Sequence, residues 1–288
     1  MMRAGRARPV FVLGTARSGT TWLANLLADH PSIAAVVHAA HQGIHESHLL
    51  SHTRYVFPER LTMADFLAHY RREDYFRLLG LDADTLAAAY AEPGAVPELF
   101  RHLMDEFAAA RGATHWLEKT PKHCLYVDEL ARWFPDAVFV MIEREFRSTL
   151  LSHVNKYARP GAPPWLQVTE KVVRYETDMR CLARCQRRAP VPLIRIRYED
   201  LVADTDAVTA RIQDFLGLPI RRLASRFPAD SSFAAGVSRF RFGPGAWRSI
   251  EMLRAAVHIA PLAPMLAVRR RRDRAAAAAF PKFQVIST

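Results

Sequence analysis

A glycine-rich turn near the amino terminus constrains the fold of this chain more than any other feature. The apolar run at 10–13 (VFVL) is typical of a buried parallel strand, and it stops at Gly14. Gly19 follows five residues later, then come Thr20, Thr21 and a stretch with helical periodicity. Backbone N–H groups and the helix N-terminus can then converge on an anion. The spacing predicts a phosphate-binding loop, against the alternative of a glycine turn without a ligand.

The loop lacks the lysine of nucleoside triphosphatases, because Thr20 occupies that position. That lysine reaches the outer phosphates of ATP or GTP, so its absence argues against ordinary triphosphate hydrolysis. Arg17, inside the loop, offers a planar charged fork instead. The hydroxyls of Thr20 and Thr21 can add further donors to an anionic ligand.

Strands alternate with helices along the rest of the chain. AVFVMI at 137–142 is the clearest further buried strand, and another is predicted at 32–37. Helices are predicted over most of 63–111 and at about 122–133. This alternation predicts an α/β fold of the P-loop type, a three-layer sandwich with a mostly parallel central sheet and helices on both faces.

The length and the net charge of the chain limit its domain organisation and the kind of ligand that it can bind. One such core fits 288 residues, so we expect a single domain over 1–288, with a basic arm at 1–8 and a basic, alanine-rich tail at 269–288. The net charge of +11 suits an anionic ligand, but the arginine run lacks the interleaved aromatics of a nucleic-acid-binding surface. No apolar run approaches the roughly 18 residues that span a bilayer, and we expect a cytoplasmic protein.

Four later segments, taken with the loop, resemble the signatures of one enzyme family. The loop reads ARSGTTWL, with Ala16 in place of a common proline, and FVMIEREFRSTLLSH places Ser152 eight residues after Arg144. The other segments are WLEKTPKH, RYEDL and the basic, glycine-rich stretch RFRFGPGAWRS at 239–249. Together they span about 9–250 and resemble the sulfotransferases that use 3′-phosphoadenosine 5′-phosphosulfate (PAPS), of the bacterial type within the P-loop sulfotransferase superfamily.

The resemblance implies where the donor binds. In that family the loop holds the 5′-phosphosulfate, and an arginine–serine pair, here Arg144 and Ser152, holds the 3′-phosphate. A lysine in the KTP turn, here Lys119, stabilises the transferring sulfuryl group or the leaving oxygen, and Arg17 is its electrostatic partner. The donor-binding residues implied are Arg17, Ser18, Gly19, Thr20, Thr21, Trp22, Arg144, Ser152, Tyr198, Arg241 and Arg248.

A hydroxyl acceptor also needs a general base, usually His, Glu or Asp. Where protein-tyrosine sulfotransferases carry a glutamate, this chain has His38. The segment 43–47 (GIHES) resembles a loop that holds a catalytic carboxylate, which would be Glu46. His38 and Glu46 are equal candidates at this point, and His41 is the third.

The same region offers metal binding as an alternative. If the segment is helical, His41, His45, His48 and His52 line one face, and histidines at that spacing can bind zinc. None of the family motifs supplies a metal site, and sulfonate carries less charge than phosphate. We therefore expect that no metal is required.

The acceptor is predicted only as a small molecule with a hydroxyl group. Apolar, aromatic stretches at 54–81 and 99–116 suggest a hydrophobic wall, and sugars remain possible. Two other functions are weighed: a small-molecule kinase, disfavoured by the missing loop lysine, and a non-catalytic nucleotide- or nucleic-acid-binding protein. Oligomeric state cannot be predicted from the sequence.

Overall fold

A five-stranded parallel sheet forms the centre of the computed structural model, which describes residues 6–49, 51, 55, 57, 59–70, 74–159, 161–188, 190–227 and 241–278. The strands are β1 (Arg8–Leu13), β2 (Ile33–Ala35), β3 (Val37–His38), β4 (Gly43–Ile44), β5 (His115–Glu118), β6 (Val138–Glu143) and β7 (Leu193–Arg197). The helices are α1 (Thr20–Leu27), α2 (Met63–Tyr70), α3 (Asp74–Leu79), α4 (Ala83–Ala89), α5 (Val96–Ala109), α6 (Val127–Trp133), α7 (Phe146–Lys156), α8 (Pro164–Arg188), α9 (Tyr198–Ala203), α10 (Thr205–Leu216), α11 (Pro244–Ile259) and α12 (Leu262–Ala278).

The strand order of the sheet is β2-β5-β1-β6-β7, and every neighbouring pair is parallel. A parallel sheet covered on both faces requires continuous apolar strands, which β1 and β6 supply. Because the strands are parallel, their carboxyl ends share one edge, where the loops after β5, β1, β6 and β7 become neighbours. Ligands of open α/β sheets bind at such an edge.

Alternate residues of the central strands face two different cores. Phe11 and Leu13 of β1 join the larger core with α2–α6 and α8, whereas Val10 and Val12 join the core with α1, α9 and α10. Fully burying one such side chain stabilises the fold by about 1.5–3 kcal/mol. The predicted three-layer α/β sandwich with a mostly parallel sheet is confirmed.

Two elements differ from the sequence prediction. The strand expected at 32–37 stops at Ala35, and β3 leaves the sheet to pair with β4 in an antiparallel hairpin. Asn25 holds this hairpin, since its Nδ2 donates to the Gln42 carbonyl over 3.0 Å and its Oδ1 accepts from Ile44 N over 2.8 Å. The helix expected at 122–133 begins as a 3-10 turn, Pro121–Tyr126, and becomes α-helical only at Val127.

The arginine-rich segment expected to form a tail is instead helical as far as it is described. Residues 269–278 continue α12, because alanine favours helix and two arginines find carboxylate partners in the body of the protein. Those partners are Asp178 for Arg269 and Glu129 for Arg270. Among the described helices, none alone has the length and apolar composition to cross a bilayer; α11 and α12 reach both only as a pair, bent by 100°.

Candidate active site

The loop between β1 and α1 is packed so tightly that its two glycines have no room for a side chain. A Cβ on Gly14 would lie 2.6 Å from the carbonyl oxygen of Ile142. Gly19 has a φ of +97°, and a Cβ there would lie 2.5 Å from the ring of Tyr198. No side-chain hydrogen bond caps α1 at Gly19, so the N–H groups of its first turn can donate to an anion.

The turn of this loop is closed by its own hydrogen bonds. Both the N–H and the hydroxyl of Ser18 donate to the carbonyl oxygen of Thr15, over 3.1 and 2.8 Å. The Thr15 hydroxyl in turn donates to Asp178 of α8 over 2.9 Å. Thr20 is buried and Thr21 half-buried at the start of α1, where the sequence placed them.

Arg17 connects the loop to the second predicted anion site. Its Nε donates to the Ser152 hydroxyl over 3.0 Å, and Arg144 Nη1 lies 3.5 Å from the Arg17 carbonyl oxygen. The Arg144 guanidinium lies 4.2 Å from the centre of the Tyr198 ring, which Trp22 meets edge-on at 6.0 Å between centroids. Five residues predicted from three separate motifs therefore lie together.

Lys119 and Glu46, predicted from different motifs, form an ion pair. Lys119 follows β5 and Glu46 follows the β3–β4 hairpin, and Nζ lies 2.6 Å from Oε1. The Lys119 side chain is only 2% exposed. Burial alone would raise the pKa of Glu46, but the positive charge of Lys119 and its hydrogen bond outweigh burial and lower the pKa below the ordinary 4.5. Glu46 is therefore an ionised carboxylate at neutral pH.

A second carboxylate, Glu118, ties the segments of Lys119 and Glu46 together. It is 1% exposed, and its Oε1 accepts from the Thr120 hydroxyl over 2.6 Å and from the hydroxyl and N–H of Ser47 over 2.7 and 3.2 Å. Its Oε2 lies 2.8 Å from His123 Nδ1. Burial raises the pKa of Glu118, but His123 and the hydrogen bonds outweigh it and lower the pKa to about 2. Sequence analysis missed this residue, although a carboxylate at the end of an apolar strand was a usable signal.

The other two base candidates lie on the hairpin and its turn. His38 is exposed, and its Nδ1 accepts from the N–H of Ala40 over 3.2 Å. His41 ends the 3-10 turn Ala39–His41, and its side chain lies outside the described part of the structure. Of the three candidates, Glu46 is the one for which a contact with Lys119 is described.

The alternative in which a helix presents four histidines on one face does not fit, because residues 42–49 are not helical. His45 contacts Tyr75 edge-on at 5.4 Å between ring centroids, whereas His48 Nε2 lies 3.7 Å from Glu46. Burial lowers the pKa of His48 to about 4. His52 lies outside the described residues, and within them no group of three or more metal-ligating side chains is arranged to hold a metal.

Lys156 was not predicted and belongs to the same region. It lies one helical turn after Ser152 on α7. Burial lowers the pKa of Lys156, the like charges of Arg17 and Lys119 lower it further, and Glu46 opposes them. The four-residue spacing from Ser152, which puts both on one helix face, was the signal that could have identified it.

The two arginines predicted from the closing stretch, Arg241 and Arg248, lie ahead of α11 and in its first turns. Arg248 of α11 lines an open groove together with Arg147, Phe242 and Trp247, and Arg147 lies 5.1 Å over the Trp247 ring. Arg241 is exposed ahead of α11, and residues 228–240 lie outside the described part. The described contacts of the loop are instead made by Ser152, Arg144 and Tyr198.

Comparison with known proteins matches most of this chain to one family. The family model described as "Sulfotransferase family" matches residues 9–222. Two curated relatives, both "Omega-hydroxy-beta-dihydromenaquinone-9 sulfotransferase Stf3", come from Mycobacterium bovis (strain ATCC BAA-935 / AF2122/97) and Mycobacterium tuberculosis (strain CDC 1551 / Oshkosh). Each is 26% identical over an alignment of 245 positions, and the alignment covers 73% of this chain and 63% of the relative. The chain thus spans less than two thirds of the length of these relatives.

Solved structures share the fold at low sequence identity. The "Sulfotransferase Domain from the Curacin Biosynthetic Pathway" has a TM-score of 0.52 and 16% identity, covering 87% of this chain and 97% of that one. The sulfotransferase domain of the Synechococcus PCC 7002 olefin synthase has a TM-score of 0.52 and 17% identity, covering 96% and 98%.

Proposed function

The chain belongs to the sulfotransferase family, and from that premise we propose that it transfers a sulfuryl group from PAPS to the hydroxyl of a small molecule. The observation that carries the proposal is the contact of Arg17 with both Ser152 and Arg144. It joins an anion site at the start of α1 to a second cationic site about two helical turns along α7. PAPS carries one anionic group at the 5′ position of its ribose and another at the 3′ position, and it needs two such sites.

The residues present fit this donor. The uncapped N-terminus of α1 and the hydroxyls of Thr20 and Thr21 suit the 5′-phosphosulfate. Arg144 and Ser152 suit the 3′-phosphate, because guanidinium binds phosphate with paired hydrogen bonds. The donor supplies the sulfuryl group, and we propose that its transfer needs no metal.

We assign the role of general base to Glu46. The ion pair with Lys119 supports this choice, since it places an ionised carboxylate beside the lysine that the family uses at the sulfuryl group. Glu46 then accepts the hydroxyl proton of the acceptor, while Lys119 and Arg17 stabilise the charge that develops on the leaving oxygen. Positioning and electrostatics supply most of the rate enhancement, as in phosphoryl transfer.

The acceptor class is part of the proposal. The curated relatives are named for a hydroxylated menaquinone, which supports an acceptor that joins a hydroxyl group to an apolar body. The aromatic stretches in which a hydrophobic wall was expected contribute instead to the core, where Phe66, Phe100 and Phe107 are fully buried. We also propose that the protein acts in the cytoplasm and without nucleic acid.

The direct test is transfer of radiolabelled sulfate from PAPS to a panel of hydroxyl acceptors: a long-chain alcohol, an aromatic alcohol and a sugar. We expect acceptor-dependent release of adenosine 3′,5′-bisphosphate without added metal, and no turnover of ATP with magnesium. Phosphate transfer from ATP would establish the kinase alternative instead.

The same assay tests the base. Glu46→Gln should lose about 100-fold or more in turnover, and His38→Asn should keep it. A base must be deprotonated, so the activity should fall only as the pH drops through a pKa below 4.5. An acid limb near pH 6.5, the ordinary pKa of histidine, together with an active Glu46→Gln variant, would transfer the role to a histidine.

A further inference from the structure

Helix α12 lies beyond the residues 9–222 that match the family, yet it reaches the underside of the phosphate loop. Arg269 Nη1 lies 2.5 Å from Asp178 Oδ1 and also donates to the carbonyl oxygen of Arg174 over 3.1 Å. Asp178 is 1% exposed. A buried carboxylate of this kind needs a partner charge close by, and Arg269 supplies it.

The other oxygen of Asp178 continues the contact into the loop. Asp178 Oδ2 accepts from the Thr15 hydroxyl over 2.9 Å. The carbonyl oxygen of Thr15 accepts both hydrogen bonds from Ser18 that close the turn. An unbroken series of hydrogen bonds therefore runs from Arg269 through Asp178 and Thr15 to Ser18.

The position of α12 is fixed by further contacts of Arg270 and Asp273. Asp273 accepts from Lys122 Nζ over 2.7 Å and from the Tyr126 hydroxyl over 3.1 Å. Arg270 lies 2.8 Å from Glu129. All three partners lie in the segment that follows Lys119, so the helix is held against the elements that form the site.

We propose that Arg269 is a positioning residue for the phosphate loop, acting through Asp178 and Thr15. The proposal rests on the proposed function, because the loop is taken to bind the donor. Without the arginine, the carboxylate of Asp178 must take up water or a proton, and the Thr15 hydroxyl loses a fixed acceptor. The N–H groups of the loop then lose their alignment on the anion, and donor binding weakens while acceptor binding does not.

The chain supplies a matched control on the same helix. Arg272 is exposed, so Arg272→Met removes the same charge without touching Asp178. Arg269→Lys keeps the positive charge, so it should retain part of the donor binding that Arg269→Met loses. Because Arg269→Met leaves Asp178 without its countercharge, the companion variant Arg269→Met/Asp178→Asn removes both charges together and protects the fold.

Two measurements test the proposal: binding of adenosine 3′,5′-bisphosphate, and hydrogen–deuterium exchange of residues 14–21. We expect Arg269→Met, the companion variant and Thr15→Val each to weaken binding about tenfold and to speed exchange in the loop. Arg272→Met should match the wild type. The effects of Arg269→Met and Thr15→Val should not multiply when they are combined.

The proposal would be overturned if the loop exchanged at the wild-type rate in both Arg269→Met and Arg269→Met/Asp178→Asn. It would also be overturned if the effects of Arg269→Met and Thr15→Val on binding multiplied in the double variant. The exchange measurement needs no donor. If the wild-type protein failed to bind the bisphosphate, the proposed function would fall, while loop exchange would still decide the role of Arg269.

Discussion

The phosphate loop after β1 and the turn after β5 lie at the carboxyl ends of adjacent parallel strands, but different interactions hold them. The loop keeps its shape through hydrogen bonds within its own turn, through the contact of Thr15 with Asp178, and through glycines against which β6 and Tyr198 pack. The turn keeps its shape through one buried carboxylate, Glu118, which gathers contacts from Ser47, Thr120 and His123.

The loop and the turn should therefore be sensitive to opposite kinds of substitution. The loop has no spare volume at its glycines, so an added atom should disturb it most. The turn depends on a charge and its hydrogen-bond partners, so the loss of an acceptor or a charge should disturb it most.

The largest effect is expected at the turn, from Lys119→Met. Turnover should fall about 100- to 1,000-fold, because a preorganised cation that faces the developing charge is lost. Binding of adenosine 3′,5′-bisphosphate should change much less, and circular dichroism should report an intact fold. Release of the bisphosphate product measures turnover, and wild-type turnover would remove Lys119 from the catalytic role.

Adding one atom to the loop comes next. Gly19→Ala puts a Cβ 2.5 Å from the Tyr198 ring at a φ of +97°, so donor affinity should fall at least about tenfold. Gly112→Ala is the matched control: its φ of +62° is also positive, but nothing lies within 4 Å of the added Cβ. Calorimetry compares the two, and equal donor affinity in both would mean that packing against Tyr198 does not matter.

Removing the carboxylate of the turn should give the reverse pattern. Glu118→Gln keeps the shape but replaces an acceptor oxygen by an amide donor, which loosens Glu46 relative to Lys119. We expect kcat to fall about tenfold with an unchanged donor KM. A raised donor KM with a normal kcat would show that Glu118 supports the loop instead of the turn.

The smallest effect is on stability in acid. The pKa of folded Glu118, about 2, lies below its ordinary 4.5, so its ionised form adds stability that is complete above about pH 4.5 and is lost as the pH falls towards 2. Between pH 4.5 and 2, the melting temperature of the wild type should therefore fall more steeply than the melting temperature of Glu118→Gln. Parallel curves would contradict the depressed pKa.

The same contrast explains what the sequence could predict. The loop is a local motif, in which a strand, two glycines and a helix follow one another. The loop itself and the three-layer fold could therefore be predicted from residues 10–29 and the later apolar strands. Arg144, Ser152 and Tyr198 were predicted from the family resemblance, and two of them, Arg144 and Tyr198, directly follow the ends of β6 and β7. Parallel strand order then brings them to the loop.

The turn and its supports could not be predicted in the same way. Glu118 meets Ser47 across 71 positions, and Arg269 meets Asp178 across 91, so no local pattern announces either contact. The contact of Glu46 with Lys119 likewise spans 73 positions, so the sequence leaves His38, Glu46 and His41 as alternatives. The sequence predicts a tail for the arginine run, because the partners of Arg269 and Arg270 lie on α8 and α6, far away in sequence.

Whether two anion sites bind the donor is decided by calorimetric binding of adenosine 3′,5′-bisphosphate, 5′-AMP and ATP to the wild type and to Arg144→Ala. We expect the wild type to bind the bisphosphate at least about tenfold more tightly than AMP or ATP, and Arg144→Ala to abolish this preference. Equal affinity of the wild type for the bisphosphate and AMP, or a preference that survives in Arg144→Ala, would contradict binding of the donor at two anion sites.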